Sequence, residues 1–450
     1  MSAQSRRVNI PPDYGKPHFP VVLRELSDVA STHVLYKIRV SFEKGFCGSI
    51  IEGAARLQGE LDGFIPRTDG PVVTAEQIAV VECEEDRVSE GDPEEVRGIL
   101  TLGVAVASFP EPLEIPLLIA AGTYLSTYAY ITYFELLNIS FPPDSQIGRF
   151  RGPKFGPEFL DQQSRLPLGA ILKPRFIEDR QYLRSWVDSA VAAKLDYISD
   201  DELTVGTTSL NFGNRVLEVT KRLRDCGSQI TYIPNVTGSV DQVIKRCEVA
   251  SDEGVKAVLL NVHAMGYDAV ATVSESYPQL ALVACALGVG TVCRESRFGI
   301  SLSVIARLAR MAGADAFYTG VFGGVVSSGR DTPATLHRAL CGTVTSDGLR
   351  LKQSSAVIAG GVGLPELVRT KHIYSGSFIA PFGHPFSQAR SEGVDLVKYV
   401  SAVRSGFNSY ATGGEKSFRA WAESSSVRRY PKAIRDRLRI QEAISEISEA

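Results

Sequence analysis

The 450-residue sequence lacks several features that would place a protein quickly. Its seven cysteines (47, 83, 226, 247, 285, 293 and 341) are scattered and odd in number, and no CxxC pair occurs. That argues against a disulfide framework and for free thiols in a reducing compartment. Charge of one sign is also lacking: 48 Lys and Arg stand against 51 Asp and Glu, a formal net charge of −3. No basic run with interleaved aromatics occurs, so neither nucleic acid nor an acidic membrane surface is expected as a partner. The N-terminal stretch MSAQSRRVNIPPDYGKPHFP is polar and Pro-rich, with no apolar signal core. The most apolar stretch, near 115–133, is broken by Gly122 and by Ser and Thr, and does not read as a membrane span. These absences predict a cytoplasmic protein without nucleic-acid or membrane partners.

What is present is ordinary globular material: 44% hydrophobic and 22% charged residues, over a length that allows two domains or one large barrel with an appendage. Residues 1–30 read as an extended arm. From 31 to 140 the texture is α+β: HVLYKIRVSF alternates as a strand, Ile50 to Leu61 fits a helix, and VVTAEQIAVVECEE and GILTLGVAVASF read as further sheet. After a Pro- and Gly-rich segment the texture changes, and residues 141–450 form a second region. Eight short apolar runs follow: LGAILK (168–173), LDYISD (195–200), ITYIPNV (230–236), KAVLLNV (256–262), LALVACA (280–286), DAFYTGV (315–321), SAVIAGG (355–361) and HIYSGSFI (372–379). Amphipathic segments such as DRQYLRSWVDSAVAAK lie between most of them. Parallel strands need crossover helices, so eight such units favour a closed (β/α)8 barrel followed by a helical tail. An open doubly wound sheet is the alternative.

In a barrel the chemistry sits where strands end. The strand ends carry Lys173, the acids Asp200, Asp201 and Glu202, then Asn235, Asn261 and His263. Three adjacent carboxylates repel unless something positive joins them. They can be a metal site, a solvated turn, or a metal site that has lost a part. Gly360 and Gly361 after the seventh strand, with Ser375 and Ser377 in the eighth unit, occupy the usual phosphate-binding position of barrels, as substrate or phosphate ligands. Asn235 joins that substrate-binding set. Lys173 suits acid–base work or an enolate partner, His263 a base near neutral pH, and Arg175 a bidentate anion grip. Each has a structural alternative: an ion pair, a satisfied histidine, a tight turn.

The segments GAILKPR (169–175), LDYISDDE (195–202), FPPDSQIGRFRGPKFG (141–156), AGADAFYTG (312–320), IAGG (358–361) and FGHP (382–385) occur in the order of the RuBisCO large-subunit superfamily. The sequence resembles that family beyond about residue 105, and most closely its non-carboxylating branch, the RuBisCO-like proteins. The resemblance implies an N-terminal α+β domain, a (β/α)8 barrel and a head-to-tail homodimer or higher homo-oligomer. In the family a lysine carbamate joins an Asp and a Glu on Mg²⁺. Here the lysine position is Ser199, while Asp201 and Glu202 match the two metal carboxylates. The family's two active-site histidines fall on Cys285 and Tyr318, its phosphate arginine on Ala286, its mobile-loop lysine near Val325, its N-terminal-domain asparagine on Thr123, and the serine before the strand-seven glycines on Ala359. Mg²⁺ through Asp201 and Glu202 is therefore weakened but open, and carboxylation of ribulose bisphosphate is not expected.

The resemblance and the retained Lys173, Asp201 and Glu202 together imply an isomerase- or lyase-type enzyme. It would enolise, isomerise or decarboxylate a small phosphorylated keto sugar or thio-sugar. A catalytically inactive scaffold, sensor or binding protein is the alternative reading.

Overall fold

The computed structural model describes residues 23–61, 78–86, 95–109, 115–143, 151–160, 166–204, 210–294, 297–322, 331–345 and 348–448. Most of the expected N-terminal arm lies outside them, as does Val325. The chain forms two compact units, one of residues 1–148, 290–305 and 343–350, the other of 149–289, 306–342 and 351–450.

The first unit is built on a five-stranded sheet. Strands His33–Glu43, Glu95–Ala105, Ile78–Glu85 and Ile131–Ser140 pair antiparallel, and Phe298–Ile300 adds in parallel to the edge of Ile131–Ser140. Alternation drives the pairing: Val34, Tyr36, Ile38, Val40 and Phe42 are all at most 1% exposed, while Lys37 and Arg39 point away. The helix Ile50–Leu61 forms over the stretch its sequence suggested. The strands Ile131–Ser140 and Phe298–Ile300 were not foreseen.

The second unit holds the eight strands expected of the barrel: β1 Leu168–Ile171, β2 Tyr197–Ser199, β3 Thr231–Ile233, β4 Ala257–Asn261, β5 Ala281–Cys285, β6 Ala316–Tyr318, β7 Ser355–Val357 and β8 Phe378–Pro381. Their order is β3-β2-β1-β8-β7-β6-β5-β4, all neighbours parallel. The remaining seam is joined by the parallel bridge between Asn235 and Leu259, with Val236 N–H to Leu259 C=O at 2.8 Å. This favours the barrel over the open sheet. Strands buried on both faces read as continuous apolar runs, and β4 is buried at all five positions.

The interior is filled by Tyr197, Ile233, Leu259, Val283, Cys285, Val357, Ala359 and Ile379, with Tyr318 packed against them. Gly169 is required for that filling, because a Cβ there would lie 2.3 Å from the Tyr197 ring. Outside, helix Arg180–Ala192 buries Leu183, Trp186, Val187 and Ala190 at helical spacing, and Asp179 caps it by accepting from Gln181 N–H. No helix among the described residues is long and apolar enough to cross a membrane.

Candidate active site

The C-terminal end of β2 turns two neighbouring acids in opposite directions, as alternation along an extended chain requires. Asp200 is fully buried. Its Oδ2 accepts from Arg215 Nε at 3.1 Å, Arg215 Nη2 at 2.9 Å and the Asn235 amide at 3.0 Å, while its Oδ1 accepts from the Tyr232 hydroxyl at 2.8 Å. Asp200 is therefore neither solvated nor free for a ligand. Arg215 was overlooked in the sequence. The signal was there: an arginine in phase with Phe212, Val216 and Val219 on the buried face of helix Phe212–Asp225.

Asp201 faces the barrel mouth. Its Oδ2 accepts from Lys173 Nζ, and its Oδ1 accepts from Arg175 Nε at 2.9 Å and from Leu203 N–H at 2.9 Å. Burial alone would raise this carboxyl. The hydrogen bonds from Lys173 and Leu203 and the charges of Lys173 and Arg175 outweigh burial and hold it below the ordinary carboxylate range. The backbone of the β1 loop is fixed as well: the Lys173 carbonyl accepts from the Tyr182 hydroxyl at 3.0 Å, and the Arg175 carbonyl from Thr204 at 3.2 Å.

Glu202 differs. Burial pushes its carboxyl up, and the negative charge of Asp201 adds to that, against only partial relief from Lys173 and Arg175. Cys285 and Tyr318 both feel the Glu202 charge across the mouth. Burial first, and Glu202 second, push the Cys285 thiol up to about 12 and the Tyr318 phenol well above its ordinary value. The thiol is thus a packed neutral group and not a nucleophile.

At the Mg²⁺ position the resemblance implied, the Asp201 carboxylate already carries two cations. Both Asp201 oxygens are engaged by cations, and a divalent ion would have to displace Lys173 or Arg175. Ser199 donates its hydroxyl to the Asp200 carbonyl at 2.8 Å and carries no carboxylate or amine. Among the described residues no group of three or more His, Cys, Asp and Glu could hold a metal ion.

Other expected site residues divide by position. Gly360 and Gly361 follow β7 at the mouth with φ of 115° and 81°, two consecutive glycines in a conformation that side chains disfavour. Neither N–H has a partner among the described residues. Successive free amides of this kind are suited to an anion. His263 is exposed just beyond β4, held by a cap in which Asn261 accepts from His263 N–H at 3.0 Å. Gly288 is its near neighbour, and no described contact joins it to the Lys173 cluster.

Three expectations need correction. Asn235 is fully buried, and its side chain braces the backbone: Nδ2 donates to the Glu202 and Asp201 carbonyls at 2.9 and 3.2 Å, and Oδ1 accepts from Thr237 N–H at 3.0 Å. It has no group left for a substrate. Ser375 and Ser377 precede β8, because His372 and Ile373 complete helix Leu364–Ile373 and do not start a strand. The two serines therefore sit at the opposite end of the barrel from Lys173, where Ser377 pairs with Ser355 at 3.1 Å at the start of β7. In the first unit, Thr123 donates its hydroxyl to the Ile119 carbonyl at 2.7 Å.

Comparison with known proteins places this arrangement. Residues 156–367 match the family described as ribulose bisphosphate carboxylase large chain, catalytic domain. A ribulose bisphosphate carboxylase-like protein of Chlorobaculum tepidum is 29% identical over 215 residues, 45% of this chain and 47% of the relative. The ribulose bisphosphate carboxylase of Methanocaldococcus jannaschii is 27% identical over 205 residues, 43% of this chain and 48% of the relative. The chain thus spans about half the length of the curated relatives it matches. Among solved structures, a rubisco-like protein from Alicyclobacillus acidocaldarius aligns with a TM-score of 0.71 at 19% identity, over 93% of this chain and 99% of that one. The dimeric archaeal Rubisco from Hyperthermus butylicus gives 0.69 at 20% identity, over 88% and 96%. The octameric Rubisco from Pyrococcus horikoshii gives 0.70 at 18%, over 96% and 100%. Residues 156–367 of this chain are thus similar to the RuBisCO large-chain catalytic domain, and the chain has the fold of RuBisCO and the RuBisCO-like proteins.

Proposed function

We propose that the barrel mouth is a metal-independent site for a small phosphorylated keto sugar or thio-sugar, at which the substrate is enolised next to its carbonyl. One observation carries this reading: Asp201 takes Lys173 and Arg175 as counter-charges in place of a metal. Lys173 and Arg175 put two cations beside the ionised Asp201, while burial raises the Glu202 carboxyl above its ordinary value, so the cluster offers two cationic groups to an anion. Lys173 is 31% exposed at its side chain and Arg175 47%, so both can turn from Asp201 toward a ligand.

In the sequence of events, Gly360 and Gly361 receive the phosphate through N–H groups without partners among the described residues, and Arg175 adds a second grip. The proton leaving the carbon beside the carbonyl passes to the Glu202 carboxylate, whose affinity for a proton burial raises, and Lys173 balances the charge that develops on the enolate oxygen. Isomerisation or loss of CO2 would follow from the same enolate. Carboxylation is not part of this reading, since Ser199 has no amine and Ala286 and Ala359 present no polar group where the resemblance expects one. The native assembly is proposed to be a homodimer or a larger homo-oligomer, and the compartment the cytoplasm.

A rival reading is a binding protein without catalysis, and the apolar Cys285, Ala286 and Ala359 lining favours it. Titration calorimetry of EDTA-treated protein against inorganic phosphate and a panel of phosphorylated ketoses tests the site. Binding without Mg²⁺, lost in Lys173→Met, is expected. Binding that requires Mg²⁺ would contradict the proposal. Binding without any proton exchange in the ligand would select the rival.

A further inference from the structure

We propose that Arg439 is a positioning residue for the phosphate cradle: it holds the Glu366 carboxylate behind Gly360 and Gly361 and offsets its charge, so that an anion can be taken beside it. This rests on the reading above in which those glycines receive a phosphate. The cradle leads into helix Leu364–Ile373, which carries Glu366 in its first turn. Glu366 Oε2 accepts from Gly363 N–H at 2.8 Å and so fixes the start of the helix. Gly361 and Gly363 are two residues apart, at most about 7 Å. The carboxylate therefore lies within about 10 Å of the Gly361 amide, about one Debye length at 0.1 M salt. Left alone, it would work against any anion held there.

Arg439 answers that charge from the C-terminal segment. Its Nη1 donates to Glu366 Oε1 at 3.0 Å, the oxygen that Gly363 does not use, and the Glu366 side chain is only 12% exposed. The same Nη1 would lie 3.8 Å from a Cβ placed on Gly363. Arg439 stands between helices Lys432–Leu438 and Ile440–Ser448 with φ 48° and ψ 44°, a left-handed conformation that favours glycine. Glycine would relieve that strain and lose the guanidinium. Glu442 accepts from Arg439 Nε at 2.7 Å and so aims the group. Helix Ile440–Ser448 is itself fastened to Leu364–Ile373: Ala443 and Ile447 are buried, and Glu446 pairs with Arg369, about one turn beyond Glu366. The C-terminal helix thus acts on the cradle through one charge, held at a fixed place.

The test is calorimetry of inorganic phosphate on the full chain, treated with EDTA. Arg439→Ala is expected to weaken phosphate by about two- to tenfold, the effect of one uncompensated charge at that range. The difference should shrink in high salt, and Arg439→Lys should recover most of the affinity. Removing the carboxylate as well, in Arg439→Ala with Glu366→Gln, should restore wild-type affinity or better, because the amide oxygen still accepts from Gly363 while the charge is gone. A merely structural role predicts that this double variant is as weak as Arg439→Ala, and that outcome overturns the proposal. So does equal affinity in wild type and Arg439→Ala. If Arg439→Ala does not fold, Glu366→Gln alone decides: with Arg439 in place, phosphate should bind more tightly, and unchanged affinity overturns the proposal. A wild type that ignores phosphate is a different failure: it removes the cradle reading, and this role with it.

Discussion

Asp200 and Asp201 are adjacent in sequence and close to opposite in physical situation. Asp200 faces outward from β2 into a closed set of partners, Arg215, Tyr232 and the Asn235 amide, with no exposure at all. Asp201 faces the mouth, where its partners Lys173 and Arg175 are partly open to solvent. On the outward side both Asp200 oxygens are answered by fixed protein atoms, which is how architecture is held. The inward side has partly exposed cations and, in Glu202, an acid whose carboxyl burial raises. Perturbed groups beside fully satisfied ones mark where a fold has been spent on a site.

The contrast can be broken from either side. The largest effect should come from the outward side. Arg215→Met leaves Asp200 buried without its cation and should cost about 3–5 kcal/mol of stability, read by urea unfolding. On the mouth side, Lys173→Met leaves Asp201 with Arg175 and Leu203 N–H. It should cost only about 1–3 kcal/mol while phosphate binding falls sharply, separating a functional cation from a structural one.

Glu202→Gln should act in the opposite direction. The folded state holds the Glu202 proton more tightly than the unfolded chain does, whose carboxyl titrates at about 4.3. That contribution to stability is therefore present below that pH and lost as pH rises. The Gln variant should melt higher than wild type at pH 7 and at the same temperature below about pH 4. Equal melting at both would mean that burial does not raise the Glu202 carboxyl. The smallest effect belongs to the far end of the barrel. Ser377→Ala should change stability by about 0.5 kcal/mol or less and phosphate affinity not at all.

The barrel was legible in the sequence because strands covered on both faces leave continuous apolar runs; seven of the eight fall where they were expected, and the eighth, Phe378–Pro381, overlaps only the end of its run. The Lys173, Asp201 and Glu202 cluster was legible because a polar residue ending such a run has only the barrel rim to occupy. What sequence reasoning missed depends on contacts between distant segments. The role of Asn235 is set by two carbonyls more than thirty positions earlier. Arg215 reveals itself only through helical phase. Ser375 and Ser377 were misplaced because HIYSGSFI can start a strand or finish a helix. Tyr374, 2% exposed, anchors it as the end of the helix. The strand Phe298–Ile300 is three residues long and pairs with one more than 160 positions away, and no local pattern announces it.

The most direct test is proton NMR in D2O on EDTA-treated protein with a panel of phosphorylated ketoses, following the C–H beside the carbonyl. Expected is exchange of that proton for deuterium without added metal, abolished in Lys173→Met. Exchange that appears only with Mg²⁺, or that survives unchanged in Lys173→Met, would contradict a site in which Lys173 and Arg175 stand in for the metal.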